Sequence, residues 1–268
     1  MPKRVAILFY GLTRCLHKTI DSIRTNVFNV LKENGYEYDV FIHTYKIHGT
    51  YNNPWAKEKC TYVNEDVESL LNPAYSIHDN QDDVIKSINV DEYYTHLGNW
   101  TGMTPEMTKY LIRNMCLALY SKKRIANVLN EHKDRYDYVM IVRPDSLFTE
   151  KINMQYFNEL TSTNIIIPTG NTFSGVNDRF CLATTDIALY YGTLFDELKE
   201  YSQRNNITSE RYLMDKLNEK GINILTRRIV FDTLRITNDN KPANATKSNN
   251  ANKLVAKGIP FIPHRYKR

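Results

Sequence analysis

The run Tyr136-Asp-Tyr-Val-Met-Ile-Val-Arg-Pro-Asp-Ser-Leu-Phe148 constrains this chain more than any other stretch. Its apolar, β-branched centre, Val139 to Val142, reads as a buried strand. Pro144 cannot donate to a sheet ladder and ends the strand. A cation and a carboxylate, Arg143 and Asp145, are therefore set side by side at a strand's carboxyl end. In open α/β sheets that edge is where ligands bind. A carboxylate there can hold a divalent cation, and an arginine can hold a phosphate. The plain alternative is a surface loop carrying an Arg–Asp ion pair.

The flanking sequence supplies the rest of such a sheet. Arg4 to Tyr10 reads as a first strand, and Gly11-Leu-Thr13 as a turn with Thr13 as helix cap. Ile20, Ile23, Val27, Val30 and Leu31 recur at helical spacing up to Gly35. Tyr38 to Thr44 is a second strand, which gives β-α-β and a parallel pair. Lys46 to Met103 is polar, aromatic and irregular, too long for a plain connection. Thr104-Pro105 opens a long helix reaching about His132. Further strands are expected at Asn164 to Ile167, Arg179 to Ala183, Asn223 to Thr226 and Ile229 to Ile236. Helices are expected at Thr184 to Tyr201 and Ser209 to Lys220. Residues 1–236 then form one domain in two parts, 1–145 and 146–236. An Asn/Lys/Ala/Thr-rich segment, 237–254, reads as flexible, and 255–268 as a docking tail.

Composition narrows the function classes. The 268 residues carry a net charge of +5 with both signs interleaved, which fits a small acidic substrate rather than nucleic acid. No apolar run approaches the ~20 residues of a membrane span. The first apolar run is too short for a secretion signal, so a cytoplasmic location is expected. Cys15, Cys60, Cys116 and Cys181 are scattered and read as reduced thiols.

Several residues carry candidate chemistry. The first βα turn, Phe9-Tyr-Gly-Leu-Thr-Arg14, has one glycine, so it is neither a dinucleotide fingerprint nor a P-loop. It still sets Tyr10, Gly11 and Arg14 at a helix start, where anions are favoured. Tyr10 suits a base, Arg14 a phosphate. His43 and Thr44 end the second strand and suit nucleotide contact, or, for His43, a structural role. Phe173-Ser-Gly-Val-Asn-Asp-Arg-Phe180 gathers Asn177, Asp178 and Arg179 before a strand. Glu210 sits in the first turn of a helix capped by Thr208 or Ser209, where a dipole-complementing role is the simpler reading. Lys122 and Lys123, in mid-helix, read as a solvated face.

In their order, Phe9-Tyr-Gly-Leu-Thr-Arg14, Tyr38-Asp-Val-Phe-Ile-His-Thr-Tyr45, Arg143-Pro-Asp145 and Gly175-Val-Asn-Asp-Arg-Phe180 resemble sugar-nucleotide-dependent glycosyltransferases of the GT-A type. The likeness is to compact examples from large DNA viruses and bacterial polysaccharide clusters, and it covers most of residues 3 to 236. It implies an α/β fold with a Rossmann-like nucleotide-binding sheet flanked by helices and a smaller acceptor-side part. It also implies a nucleotide-diphosphate sugar donor, UDP-linked by expectation, and a glycan or small-molecule acceptor. If transfer inverts, Asp178, in preference to Glu210, would take the acceptor's proton; if it retains, no base is needed in that form. Tyr10, Gly11, Arg14, His43, Thr44, Arg143, Asn177 and Arg179 would hold the donor. Mn²⁺ or Mg²⁺ would sit on Asp145, with His264 as a late ligand. This chain departs from the family's Asp-x-Asp metal motif, because Arg143 stands where the first aspartate belongs. Either Asp145 binds the metal with help from the diphosphate, or Arg143 replaces part of its charge. The rival readings are a non-catalytic sugar- or nucleotide-binding module and a nucleic-acid binder.

Overall fold

The computed structural model describes residues 2–94 and 103–236; the flexible segment and tail expected beyond 236, with His264, lie outside the described residues. Strand β1 (Arg4–Tyr10) lies inside a seven-stranded sheet and is buried on both faces. Val5, Ile7 and Phe9 pack into one core, Ala6, Leu8 and Tyr10 into the other, as period-two alternation requires. Gly11 turns the chain at φ 88°. The expected helix follows in three parts: α1 (Leu16–Ile23), a π turn at Arg24–Phe28, and α2 (Asn29–Glu33). Its start differs from the expected Thr13 cap. Cys15 occupies the cap position in left-handed backbone, with no side-chain cap. Strand β2 (Glu37–Lys46) returns parallel to β1, so the β-α-β unit forms.

The irregular region carries small elements of its own. They are the hairpin β3 (Thr50–Asn53) and β4 (Glu58–Thr61), α3 (Val67–Leu71), β5 (Tyr75–Asn80) beside β2, and α4 (Gln81–Ser87). Helix α5 (Pro105–Asn130) starts as its sequence dictates: the Thr104 hydroxyl accepts from the Met107 N–H at 3.2 Å, and Pro105 occupies the first turn. Then come β6 (Tyr138–Val142), β7 (Ser146–Phe148), α6 (Gln155–Glu159), β8 (Asn164–Pro168) and β9 (Phe180–Thr184). Helices α7 (Thr185–Thr193) and α8 (Phe195–Ser202) replace the single helix expected there; the buried Leu194 lies between them. Helix α9 (Ser209–Glu219), β10 (Asn223–Arg227) and the short β11 (Phe231–Thr233) complete the described chain.

The sheet order is β10-β8-β9-β6-β1-β2-β5, parallel except for β9, which runs against both neighbours. The protein is therefore a mixed α/β molecule with helices on both sheet faces. Strands β1, β2 and β5 progress one way, and β6 starts the other half on the far side of β1. The switch point thus lies between β1 and β6, where a crevice opens beyond their carboxyl ends. Helices α1, α2, α3 and α6 cover one face, and α5, α7, α8 and α9 the other. No described helix is long and apolar enough to cross a membrane.

Candidate functional site

A cleft of about 840 Å³ opens at this crevice, within the ~300–1,000 Å³ range of small-molecule sites. Its floor is built around Asp145. The carboxylate is fully buried and meets three guanidinium groups. Arg143 Nε donates to Oδ1 at 2.9 Å and its Nη2 to Oδ2 at 2.6 Å. Arg14 Nε and Nη2 reach Oδ2 at 3.2 and 3.1 Å, and Arg235 Nη1 at 3.4 Å. Arg14 spends its last nitrogen on Tyr51 and on Glu58, 3.4 Å away. Burial opposes ionisation of Asp145, yet Arg143, Arg14 and Arg235 hold its carboxyl well below the usual carboxylate range. Burial and two neighbouring guanidiniums push Arg235 down to about 9, so it stays charged at neutral pH. Three positive charges face two carboxylates, Asp145 and Glu58, and the floor keeps a cationic excess.

The backbone explains how residues so far apart in sequence meet. Strand β11 pairs antiparallel with β7, Thr233 opposite Ser146, and the Leu234 N–H donates to the Asp145 carbonyl at 2.9 Å. That pairing lays Arg235 against Asp145 across 90 residues. The Ile236 N–H then donates to Glu58 at 2.7 Å and fastens the β3–β4 hairpin to the same corner.

The opposite wall comes from the β8–β9 connection and the start of α9. Because β9 runs against β6, its amino end lies beside the carboxyl end of β6, and the Arg143 N–H donates to the Arg179 carbonyl at 3.3 Å. Asn171, Phe173 and Ser174 hold left-handed backbone in that connection. Docking keeps it there: the Val176 N–H donates to the Glu210 carbonyl at 3.0 Å. A Cβ on Gly175 would stand 2.0 Å from that same carbonyl oxygen, so only glycine fits. This contact sets Asp178 and Glu210 on one wall.

The two carboxyls differ. Burial works against ionisation of Asp178, but Lys122 and Arg179, with a hydrogen bond from Ser209, hold it below its ordinary value. Glu210 is half-buried, and burial together with the Asp178 charge pushes it up to about 7. Beneath them lies Lys122, 2% exposed, which is a correction to its reading as a solvated lysine. Its ammonium donates to the Asp178 carbonyl and the Tyr191 hydroxyl, each at 3.1 Å, and lies over the rings of Tyr10 and Tyr191. Burial pushes it down to about 8. Lys123, its neighbour, does face outward and pairs with Asp196.

Of the residues expected at the site, Tyr10, Gly11, Arg14, Arg143, Asp178, Arg179 and Glu210 line the cleft. Tyr10 is buried, and its hydroxyl donates to the Asp178 carbonyl at 2.7 Å, so it braces the wall. His43, Thr44 and Asn177 do not line the cleft. His43 is fully buried between Ser121, at 2.6 Å, and Asp79, at 3.0 Å, and burial lowers it to about 4. Asn177 is tied into its own turn, donating to the Gly170 carbonyl at 3.1 Å. Lys122, Arg235, Glu58 and Tyr51 carried no local signal. At the rim stand Trp55 and Phe173, 58% and 65% exposed.

The donor set around Asp145 does not fit a divalent cation. Both oxygens are committed to guanidiniums, and a metal there would sit among three positive charges. Among the described residues no group of three or more His, Cys, Asp or Glu side chains gathers as a metal site.

Residues 1–246 match the model of a family described as a domain of unknown function, DUF7796. No curated protein matches the chain.

Proposed function

The chain belongs to the DUF7796 family, and from its cleft we propose that it is a glycosyltransferase. In this reading it moves a sugar from a nucleotide-diphosphate donor to a hydroxyl of a glycan or other acceptor, on a GT-A-like scaffold. One observation carries the reading: a single cleft at the sheet's switch point joins a cationic floor to two carboxyls whose environments drive their pKa values apart. Such a pairing is what separate roles for two acidic groups require.

The chemistry follows from the charges. The acceptor oxygen bonds to the anomeric carbon as the bond from that carbon to the diphosphate oxygen breaks. The electron pair leaves with the diphosphate, and the acceptor's proton goes to a carboxylate. Glu210, near 7, suits that transfer, because a base works best with a pKa near the operating pH. Asp178, held ionised, offers its negative charge to the oxocarbenium-like sugar. Asp178 is the alternative base. Arginine-lined floor and carboxylate wall thus take the leaving and the attacking side.

The test is to incubate the full chain with a panel of UDP-, GDP-, CDP- and dTDP-sugars and candidate acceptors. Stabilisation by one donor class in thermal unfolding and release of its nucleoside diphosphate support the reading. The NMR configuration of the new bond tells inversion from retention. The rival, a non-catalytic binding module, draws support from the commitment of Asp145 to arginines, which takes up the carboxylate expected to hold a metal. It predicts donor binding with no release of nucleotide.

A further inference from the structure

At the end of β6, Asp145 stands at the centre of a cluster of three arginines, Arg143, Arg14 and Arg235. The three arginines are not equivalent. Arg14 is buried and has every nitrogen engaged, by Asp145, Tyr51 and Glu58. It is a strut. Arg143 and Arg235 each keep 23% of their side-chain surface open and line the cleft. Asp145 takes Nε and Nη2 of Arg143, which leaves Nη1 for the cleft. It takes one Nη of Arg235 at the long distance of 3.4 Å, which leaves the other Nη and Nε. Among the described residues these N–H groups meet no other acceptor, so two cationic donors stand beside the β1–β6 crevice. Guanidiniums bind phosphate oxygens through paired, charge-assisted hydrogen bonds.

We propose that Arg143 and Arg235, braced on Asp145, form a diphosphate-binding site that needs no divalent cation. This inference rests on the glycosyltransferase reading and deepens it: the departing diphosphate's charge is met by arginines. The site's cationic excess agrees with it, since an incoming anion relieves the repulsion from Arg14 and Arg143 that adds to burial in depressing Arg235. Arg235 makes the site specific to this fold, because it follows β11 and meets the Arg-Pro-Asp turn only in the folded chain.

The experiment is calorimetric titration of the full chain with UDP, GDP and inorganic pyrophosphate, in EDTA and again with Mn²⁺. Wild type is compared with Arg143→Lys and Arg235→Gln, and circular dichroism and thermal unfolding confirm folding of each. The expected result is binding in EDTA that weakens by about tenfold or more in either variant, the scale of a hydrogen bond to a charged group. Binding that requires Mn²⁺ overturns the inference and leaves the glycosyltransferase reading standing. Binding in EDTA that both variants retain also overturns it, by removing the arginines from the site. Absence of binding to all three probes under both conditions overturns the inference and the reading together. Should one variant fail to fold, the other decides between these outcomes.

Discussion

The floor and the wall of the cleft each hold an acidic group drawn out of water, and they treat it in opposite ways. Asp145 lies among three guanidiniums, and its proton is driven off far below the usual range. Glu210 lies half-buried beside another carboxylate, and its proton is retained up to about 7. Burial raises both. What separates them is the sign of the nearest charge, which comes from the topology. Strand β11 brings a third arginine to the first group, and the antiparallel β9 brings Asp178 to the second. One acid is a permanent anion that organises cations, and the other can exchange a proton at neutral pH. The comparison shows that residue type alone does not assign a role within a site.

The contrast breaks most severely at Asp145. Asp145→Asn leaves three arginines facing one remaining carboxylate, and loss of one partner from a buried charge network costs about 3–5 kcal/mol. Denaturant unfolding at neutral pH should show that loss. The pH dependence follows from the sign of the shift. A carboxyl held low in the folded state stabilises at pH values above its unfolded pKa, ~3.9. That contribution fades as the pH falls below this value toward the folded one. The asparagine variant should lack this part of the acid sensitivity.

On the wall, Gly175→Ala should push the β8–β9 connection off the Glu210 carbonyl and carry Asp178 with it. Misplacement on the scale of 1 Å can cost roughly 10²-fold in turnover. Steady-state kinetics with the fold checked by circular dichroism would show it, and wild-type turnover would detach the connection from the chemistry. On the floor, Arg143→Lys keeps the charge and loses the planar fork. Transfer should fall by roughly tenfold, or ~1.4 kcal/mol.

The smallest expected effect is the sharpest test of the wall's electrostatics. A base near 7 makes transfer rise with pH through about 7 and level off above it. Asp178 raises Glu210, so Asp178→Asn should move that rise to lower pH by roughly one unit, the common scale of such shifts. A pH–rate profile for the variant that stays in place would show that Asp178 does not govern Glu210.

How much of this was legible in the sequence depended on range. Arg4–Tyr10 and the end of β6 at Arg143-Pro-Asp145 were readable, because alternation, β-branching and proline act locally. The helix after Thr104 was readable for the same reason. Lys122 was misread, since nothing near it in sequence shows that Tyr10, Tyr191 and the Asp178 carbonyl enclose its ammonium. Arg235 was not singled out, because its partner lies 90 residues away across a three-residue strand. His43 and Thr44 were expected to end the second strand, but β2 runs on to Lys46 and both side chains fall inside the core. The motif order suggested where a site lies, whereas the charges that tune it came from contacts that no local pattern encodes.

The central claim is that Glu210 accepts the acceptor's proton during sugar transfer. Its most direct test is to measure donor Kd and transfer rate for wild type and Glu210→Gln side by side, with the donor identified by the nucleotide-sugar panel. The account predicts that donor affinity is nearly unchanged while transfer drops by roughly 10²–10⁴-fold. Transfer at the wild-type rate in the glutamine variant would contradict it.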